Sequence, residues 1–247
     1  MSEKIVFEHP VDERVRIYLR LENLYNRFER ALLSDNVDLH YLALSVLFEI
    51  MKCAEPASIK LNILQDIEKQ KSCLDDENLI EKLNDCAQRL QNYRHKFGQY
   101  LRENEWLMSV KQQMGIVGGV NPVEAPSYYY RDHLTAEERR EQMREWSESM
   151  MPTGDAVRLL LHILRNNHIE HECVAQKGSF AHSGLNGQTM NLLQIETDFS
   201  YAVMPETSVN KYMMHIRFVG VDFHHVRAPQ TEIDIPFMLR ICSFRTV

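Results

Sequence analysis

The 247-residue chain is 44% hydrophobic and 26% charged, which is enough apolar material for one large or two modest cores and too much for a disordered polypeptide. A formal charge of −7 and a pI near 5.9 argue against a generic nucleic-acid binder, because phosphate-backbone affinity needs a strongly basic face; an anionic partner must meet a local patch instead. Five widely spaced cysteines (Cys53, Cys73, Cys86, Cys173 and Cys242) with no CxxC pair point to reduced thiols. The longest apolar stretch, residues 159–164, is interrupted by His162, and the opening residues lack a signal core, so neither secretion nor membrane insertion is expected.

From Asp12 to Gly115 apolar residues recur at three- and four-residue spacings, with breakers at Pro10, Pro56 and Gly98. This predicts helices at 12–33, 37–53, 57–73, 76–95 and 99–114, hence a helical domain over residues 1–115. A linker at Gly115-Ile-Val-Gly-Gly-Val-Asn-Pro122 opens a β-rich domain over 116–247. After the tyrosines 128–130, Thr135-Ala-Glu-Glu138 reads as a capping box for a helix to about Met150, and a further helix fits 155–166. The period then changes to two, predicting strands at 168–177, 189–197, 211–220 and 232–241. Pro236 cannot donate to a ladder, which suggests a sheet edge or a bulge for the last strand. The fold class expected is α+β, a helical bundle followed by an antiparallel sheet with one wet face and flanking helices.

Within the first helix, Arg16, Arg20, Arg27 and Arg30 fall in an arc of about 80°, roughly 120° from a stripe of Ile17, Leu21, Leu24, Phe28 and Leu32. Glu22 and Glu29 lie away from that arc, although Asp12 can reach Arg16. A solvated polar face and a protein-binding face both fit this pattern; the planar guanidinium fork favours carboxylates and interfaces. In the 211–220 strand, alternation buries Tyr212, Met214, Ile216 and Phe218 and leaves Lys211, Met213, His215 and Arg217 together. Ion pairs with Glu232 and Asp234 across the next strand, which also carries Arg240, account equally well for part of that pattern.

Catalytic constellations are weak. His168, His171 and Cys173 split across the two faces of one strand and have no fourth ligand at zinc-type spacing. His224-His225 reads as a loop with Arg227 and Pro229, and Gly118-Gly119 lacks a phosphate-binding frame. No cofactor, metal or enzymatic reaction is implied.

An ordered series runs through the chain: Phe7-Glu-His-Pro10, Arg14 and Arg16, Leu19-Arg-Leu-Glu22, Gly98-Gln-Tyr-Leu-Arg102-Glu-Asn104, Lys111-Gln-Gln113 and Ile116-Val-Gly-Gly119. It continues through Pro126, Trp146, Pro152 and the leucine-rich helix ending at Arg165, and returns at Ile216-Arg-Phe218. This series resembles the bacterial ZapD cell-division family over nearly the whole chain. The resemblance implies a non-catalytic cytoplasmic homodimer that binds the tubulin-like GTPase FtsZ, chiefly by its C-terminal tail, and bundles its filaments at the mid-cell Z-ring. It also implies binding through basic residues in both halves, here Arg16, Arg20 and Arg102 with Arg217; Arg27 joins them from the arginine arc, and Lys211 or His215 is expected to supply the charge that Met213 lacks. The chain departs from the family pattern at Met213, where an arginine is expected, and at Arg131-Asp132, ahead of His133, where a more apolar pair is expected. A nucleic-acid-binding regulator using the same arginines is the alternative; the acidic net charge and the lack of a recognition-helix signature count against it, so no nucleic acid is expected as partner.

Overall fold

The computed structural model describes residues 3–93, 95–183, 189–210, 212–223 and 231–245. The fold is α+β, with helices in the N-terminal part and antiparallel sheets in the C-terminal part. The described residues form two compact units, one gathering residues up to Arg16 and from Leu161 onward, the other running from Ile17 to Leu160. The boundary drawn at residue 115 from the glycine-rich stretch falls inside the second unit.

The helical unit takes most of α1 (Glu13–Leu32), then α2 (Val37–Cys53), α3 (Ala57–Lys71), α4 (Glu77–Asn92), α5 (Gln99–Glu103), α6 (Glu105–Met114), α7 (Pro126–Asp132), α8 (Ala136–Ser147) and the first part of α9 (Met151–Asn166). The expected 99–114 helix is two helices because the Asn104 side chain accepts from the Leu107 amide at 3.0 Å, restarting the helix with its own cap. Gly98 precedes α5 at φ +67°, and a Cβ there would lie 2.5 Å from Met51 Cγ, so both conformation and space demand glycine. The capping box at Thr135 and Glu138 forms as expected. Helix α2 buries His40, Leu44, Leu47, Ile50 and Met51 among others. Its sequence is apolar on nearly every side, which suits the centre of a bundle.

On α1 the buried face is Val15, Tyr18, Leu21, Tyr25, Phe28 and Ala31, rotated from the expected stripe; Ile17, Leu24 and Leu32 are only half-buried. Two tyrosines hold the centre because their hydroxyls find partners inside: Tyr18 donates to Asp66 at 2.8 Å and Tyr25 to the Met150 carbonyl at 2.7 Å. Periodicity weighted by aliphatic character misses such residues.

His40 is fully buried and its Nδ1 accepts from Arg139 Nε at 2.9 Å. Burial, first, and the cations Arg139, Arg131 and Arg140 hold its pKa below the ordinary histidine value, with a Ser34 backbone contact opposing. The unfolded chain therefore takes up this proton before the folded one, so stability falls as pH drops below about 6.5, until the folded imidazole itself protonates. The urea midpoint is expected to decline from about pH 7.5 to about 5.5. His40→Gln, which keeps an acceptor for Arg139 without titrating, should decline less; equal declines would refute the assignment.

The other unit is a sandwich of two antiparallel sheets rather than one sheet with a wet face. Sheet A has the order β1-β4-β7-β2, formed by β1 (Lys4–Pro10), β4 (Leu192–Asp198), β7 (Ile235–Cys242) and β2 (His168–Ala175). Sheet B has the order β3-β6-β5, from β3 (Ser179–Ser183), β6 (Met213–Gly220) and β5 (Val203–Val209). Strands β1, β3 and β5 were not expected: β1 reads as a lead-in to the first helix, and β5 carries Pro205 amid polar residues. Ile195, Leu239 and Ile241 of sheet A meet Met214, Ile216 and Phe218 of sheet B in one apolar core. Contrary to expectation, Pro236 lies in an interior strand. It is tolerated because the β4 ladder stops at Thr197↔Phe237, leaving Pro236 at the strand's start with only β2 registered beside it. Outside sheet A, Arg165 of α9 forks onto Glu8 with two contacts of 2.8 Å. Burial opposes ionisation of Glu8, but Arg165 and Gln194 outweigh it and hold the carboxyl below its usual range.

Candidate protein-binding surfaces

The arginines of α1 lie on the face opposite its tyrosines, and each position is set by helix geometry. Arg16 pairs with Glu13 at 3.1 Å, not Asp12, and its Nη2 reaches the Pro10 carbonyl at 3.4 Å. One turn on, Arg20 is exposed, has no ion pair among the described residues, and lies within electrostatic reach of Cys53 at the end of α2. Arg27 stands 3.8 Å from Glu49 of α2, and Arg30 donates to the Asn26 carbonyl at 3.2 Å. Just past α2, Glu55 accepts from Arg102 of α5 at 3.1 Å, while Arg102 also bonds the Phe97 carbonyl. Glu49 and Glu55 thus hold Arg27 and Arg102 along the end of α2. Two arginines of α1 and the sequence-distant Arg102 of α5 are set along α2 in the helical unit.

Arg102 and Glu55 also line a cleft of about 740 Å³ whose walls include Lys60, His95 and Lys96. Sequence reasoning missed these three. The available signal was their position beside the breaks at Pro56 and Gly98, where side chains of two connections can converge.

In the sheet unit, Met213, His215 and Arg217 all point outward from β6, as alternation predicts. Arg217 pairs with Glu206 of β5, Nε to Oε2 at 3.0 Å, and His215 Nε2 is 3.2 Å from Ser179 Oγ of β3. Beside them, in register, are Ser183, Ala181 and Ser179, so this face is flat. Lys211 lies outside the described residues. Tyr212, expected to be buried, is 69% exposed because the strand begins one residue later, after Asn210 accepts from the Tyr212 and Met213 amides. Among the described residues the expected pairing of His215 and Arg217 with Glu232 and Asp234 is not seen, since β7, which those two acids precede, belongs to the other sheet. There Arg240 bonds Glu170 at 2.6 Å and Glu196 at 2.9 Å, and Asp234 accepts from the Lys177 amide.

Carboxylates thus accompany Arg16, Arg27, Arg102 and Arg217, but every one of these pairs is substantially exposed. Exposed pairs contribute about 0–1 kcal/mol each, so an incoming carboxylate can replace the resident one at little cost. Arg131 behaves differently. It is 3% exposed, its guanidinium 5.3 Å from the Trp146 ring and 5.7 Å from Tyr128, and it donates to Gln142 at 2.9 Å. Arg131 therefore belongs to the core and not to the surface.

Other candidate chemistry is dispersed. His171 faces His182, ring centroids 6.4 Å apart, while His168 turns to the Arg165 carbonyl at 2.6 Å. Among the described residues no group of three or more His, Cys, Asp or Glu side chains is arranged to hold a metal ion. His224-His225, Arg227 and Pro229 lie outside the described residues. All five cysteines are free, and burial pushes the Cys242 thiol up to about 11, which suppresses thiolate reactivity. No helix among the described residues is long and apolar enough to cross a membrane.

Residues 19–217 match the family model ZapD, described as a cell division protein. The cell division protein ZapD of Chromobacterium violaceum is 40% identical over 252 aligned residues, covering 97% of this chain and all of that protein. Its counterpart in Janthinobacterium sp. (strain Marseille) is 35% identical with the same coverage. Both matches run through the helical unit and the sandwich alike, and the chain belongs to the ZapD family of cell division proteins.

Proposed function

We propose that this protein binds FtsZ, chiefly by its C-terminal tail, and as a cytoplasmic homodimer cross-links FtsZ filaments into bundles that stabilise the Z-ring at mid-cell, without catalysis. The observation that carries this reading is the set of arginines on α1, α5 and β6 whose partners are exposed, exchangeable carboxylates or none. Acidic groups of the partner exchange with Glu13, Glu55 and Glu206, so each single site is weak and salt-sensitive. A dimer offering two sites to a polymer offering many converts weak contacts into bundling through effective concentration.

Co-sedimentation with FtsZ filaments at low speed tests the site. Arg16→Glu and Arg217→Glu reverse charge at exposed positions and should each reduce bundled FtsZ several-fold, with wild-type bundling falling as salt rises. Full bundling by both folded variants would reject the assignment. Light scattering should report twice the 29.1 kDa chain mass; a monomer at working concentration would remove the bivalent mechanism.

A further inference from the structure

The cleft of about 740 Å³ in the helical unit combines two chemistries that the arginine row does not. Most of its wall is apolar, including Ile59, Leu61, Leu90, Tyr93, Phe97 and Pro152. Leu61 is 58% exposed and extends this apolar wall to the mouth of the cleft. Lys60, Lys96 and Arg102 stand in the same wall against, among the described lining residues, a single carboxylate, Glu55, which Arg102 already engages. Lys60 Nζ donates to the Tyr93 carbonyl at 2.6 Å, pinning the α4–α5 connection against α3 while leaving further ammonium hydrogens for a ligand. At the same wall α3 begins on Pro56 with no side-chain acceptor on its first amides, whereas α2 and α4 are capped by Asn36 and Asp76. The positive end of that helix adds to the local field.

We infer that this cleft seats a short acidic peptide segment of the filament partner that carries apolar side chains beside its carboxylates. The inference rests on the FtsZ-binding reading and specifies the chemistry of the segment recognised. The apolar groups fill the space between Ile59, Leu90 and Phe97, and the carboxylates meet Lys60 and Lys96 and displace Glu55 from Arg102. The division of labour follows from magnitudes. Exposed ion pairs supply orientation and rate, and affinity comes from apolar side chains taken out of water. A nucleotide is the poorer fit, since the wall lacks a glycine-rich phosphate loop.

Fluorescence anisotropy of a dye-labelled peptide of the FtsZ C-terminal tail, titrated with the full chain, tests this. Leu61→Asp and Lys96→Glu are both surface changes; each is expected to weaken binding about tenfold while leaving the melting temperature unchanged. Raising salt should weaken the wild type and leave the Lys96→Glu variant less affected. The inference is overturned if Leu61→Asp binds like wild type, whatever Lys96→Glu does, or if GTP displaces the peptide competitively. If Arg16→Glu and Arg217→Glu abolish bundling while both cleft variants behave as wild type, only this inference falls. If the wild type neither binds the peptide nor bundles filaments, the FtsZ reading falls with it.

Discussion

Arg139→Met is expected to destabilise the protein by about 3–5 kcal/mol, the range for breaking a buried charged network by removing one member. Arg139 is buried on α8, and its guanidinium uses every edge. Nε donates to His40 Nδ1 at 2.9 Å, Nη1 to the Asp132 carbonyl at 3.1 Å and to the Leu134 carbonyl, and Nη2 to the Asp35 carbonyl at 2.9 Å. These acceptors belong to the end of α7, the turn after it and the approach to α2, so one side chain satisfies the orphan carbonyls where three helices meet. Methionine fills similar volume but donates nothing, leaving three carbonyls and an imidazole nitrogen dry and unpaired at about 1–3 kcal/mol each before relaxation. Differential scanning calorimetry should show the midpoint down by roughly 10 °C. A shift of less than about 2 °C would mean that water reaches these carbonyls and that the network is dispensable.

Phe218→Ala, in the sandwich, is expected to cost about 3–5 kcal/mol by cavity formation. Phe218 is fully buried on β6, with its ring centroid 5.2 Å from that of Phe237 on β7, which in turn meets Phe180 of β3 edge-on at 5.2 Å. The three rings lock sheet B onto sheet A, and the flanking residues sit on strands that cannot move inward without breaking ladder hydrogen bonds, so the void stays open. Urea denaturation should show a lower midpoint with little change of slope. Phe218→Leu, which retains most of the volume, should lose less than half as much. Equal losses for both variants would show that ring geometry matters here rather than filled space.

The two variants are informative for function because neither residue belongs to the proposed surfaces. A destabilised but folded Arg139→Met protein should still bundle filaments, whereas Arg16→Glu should melt normally and bundle several-fold less. Separating the two readouts is what distinguishes a docking residue from a structural one.

Much of this was open to a reading of periodicity. Spacing of apolar residues located the principal helices because an amphipathic helix must repeat near 3.6 whatever it packs on, and breakers at Pro56 and Gly98 marked true interruptions. Alternation in β6 put Met214, Ile216 and Phe218 inside for the same local reason. The outward set His215 and Arg217 followed directly, as did the arginine arc on α1.

Local pattern failed wherever pairing crossed the chain. Strand β1 joins β4 some 190 residues away, and nothing within Lys4–Pro10 announces that neighbour. Assignment of β6 and β7 to different sheets, which redirected Arg217 to Glu206 and Arg240 to Glu170 and Glu196, likewise depends on register between distant strands. Tyr18 and Tyr25 became core only because Asp66 and the Met150 carbonyl waited inside. Composition, helix positions, strand faces and family membership were therefore determined by residue order alone. Tertiary structure decided which arginines share the end of α2, which carboxylates accompany them, and that Lys60 and Lys96 meet Arg102 around an apolar cleft. Secondary structure obeys rules that act over a few residues, whereas a binding surface is assembled from side chains whose only common property is where the folded backbone leaves them.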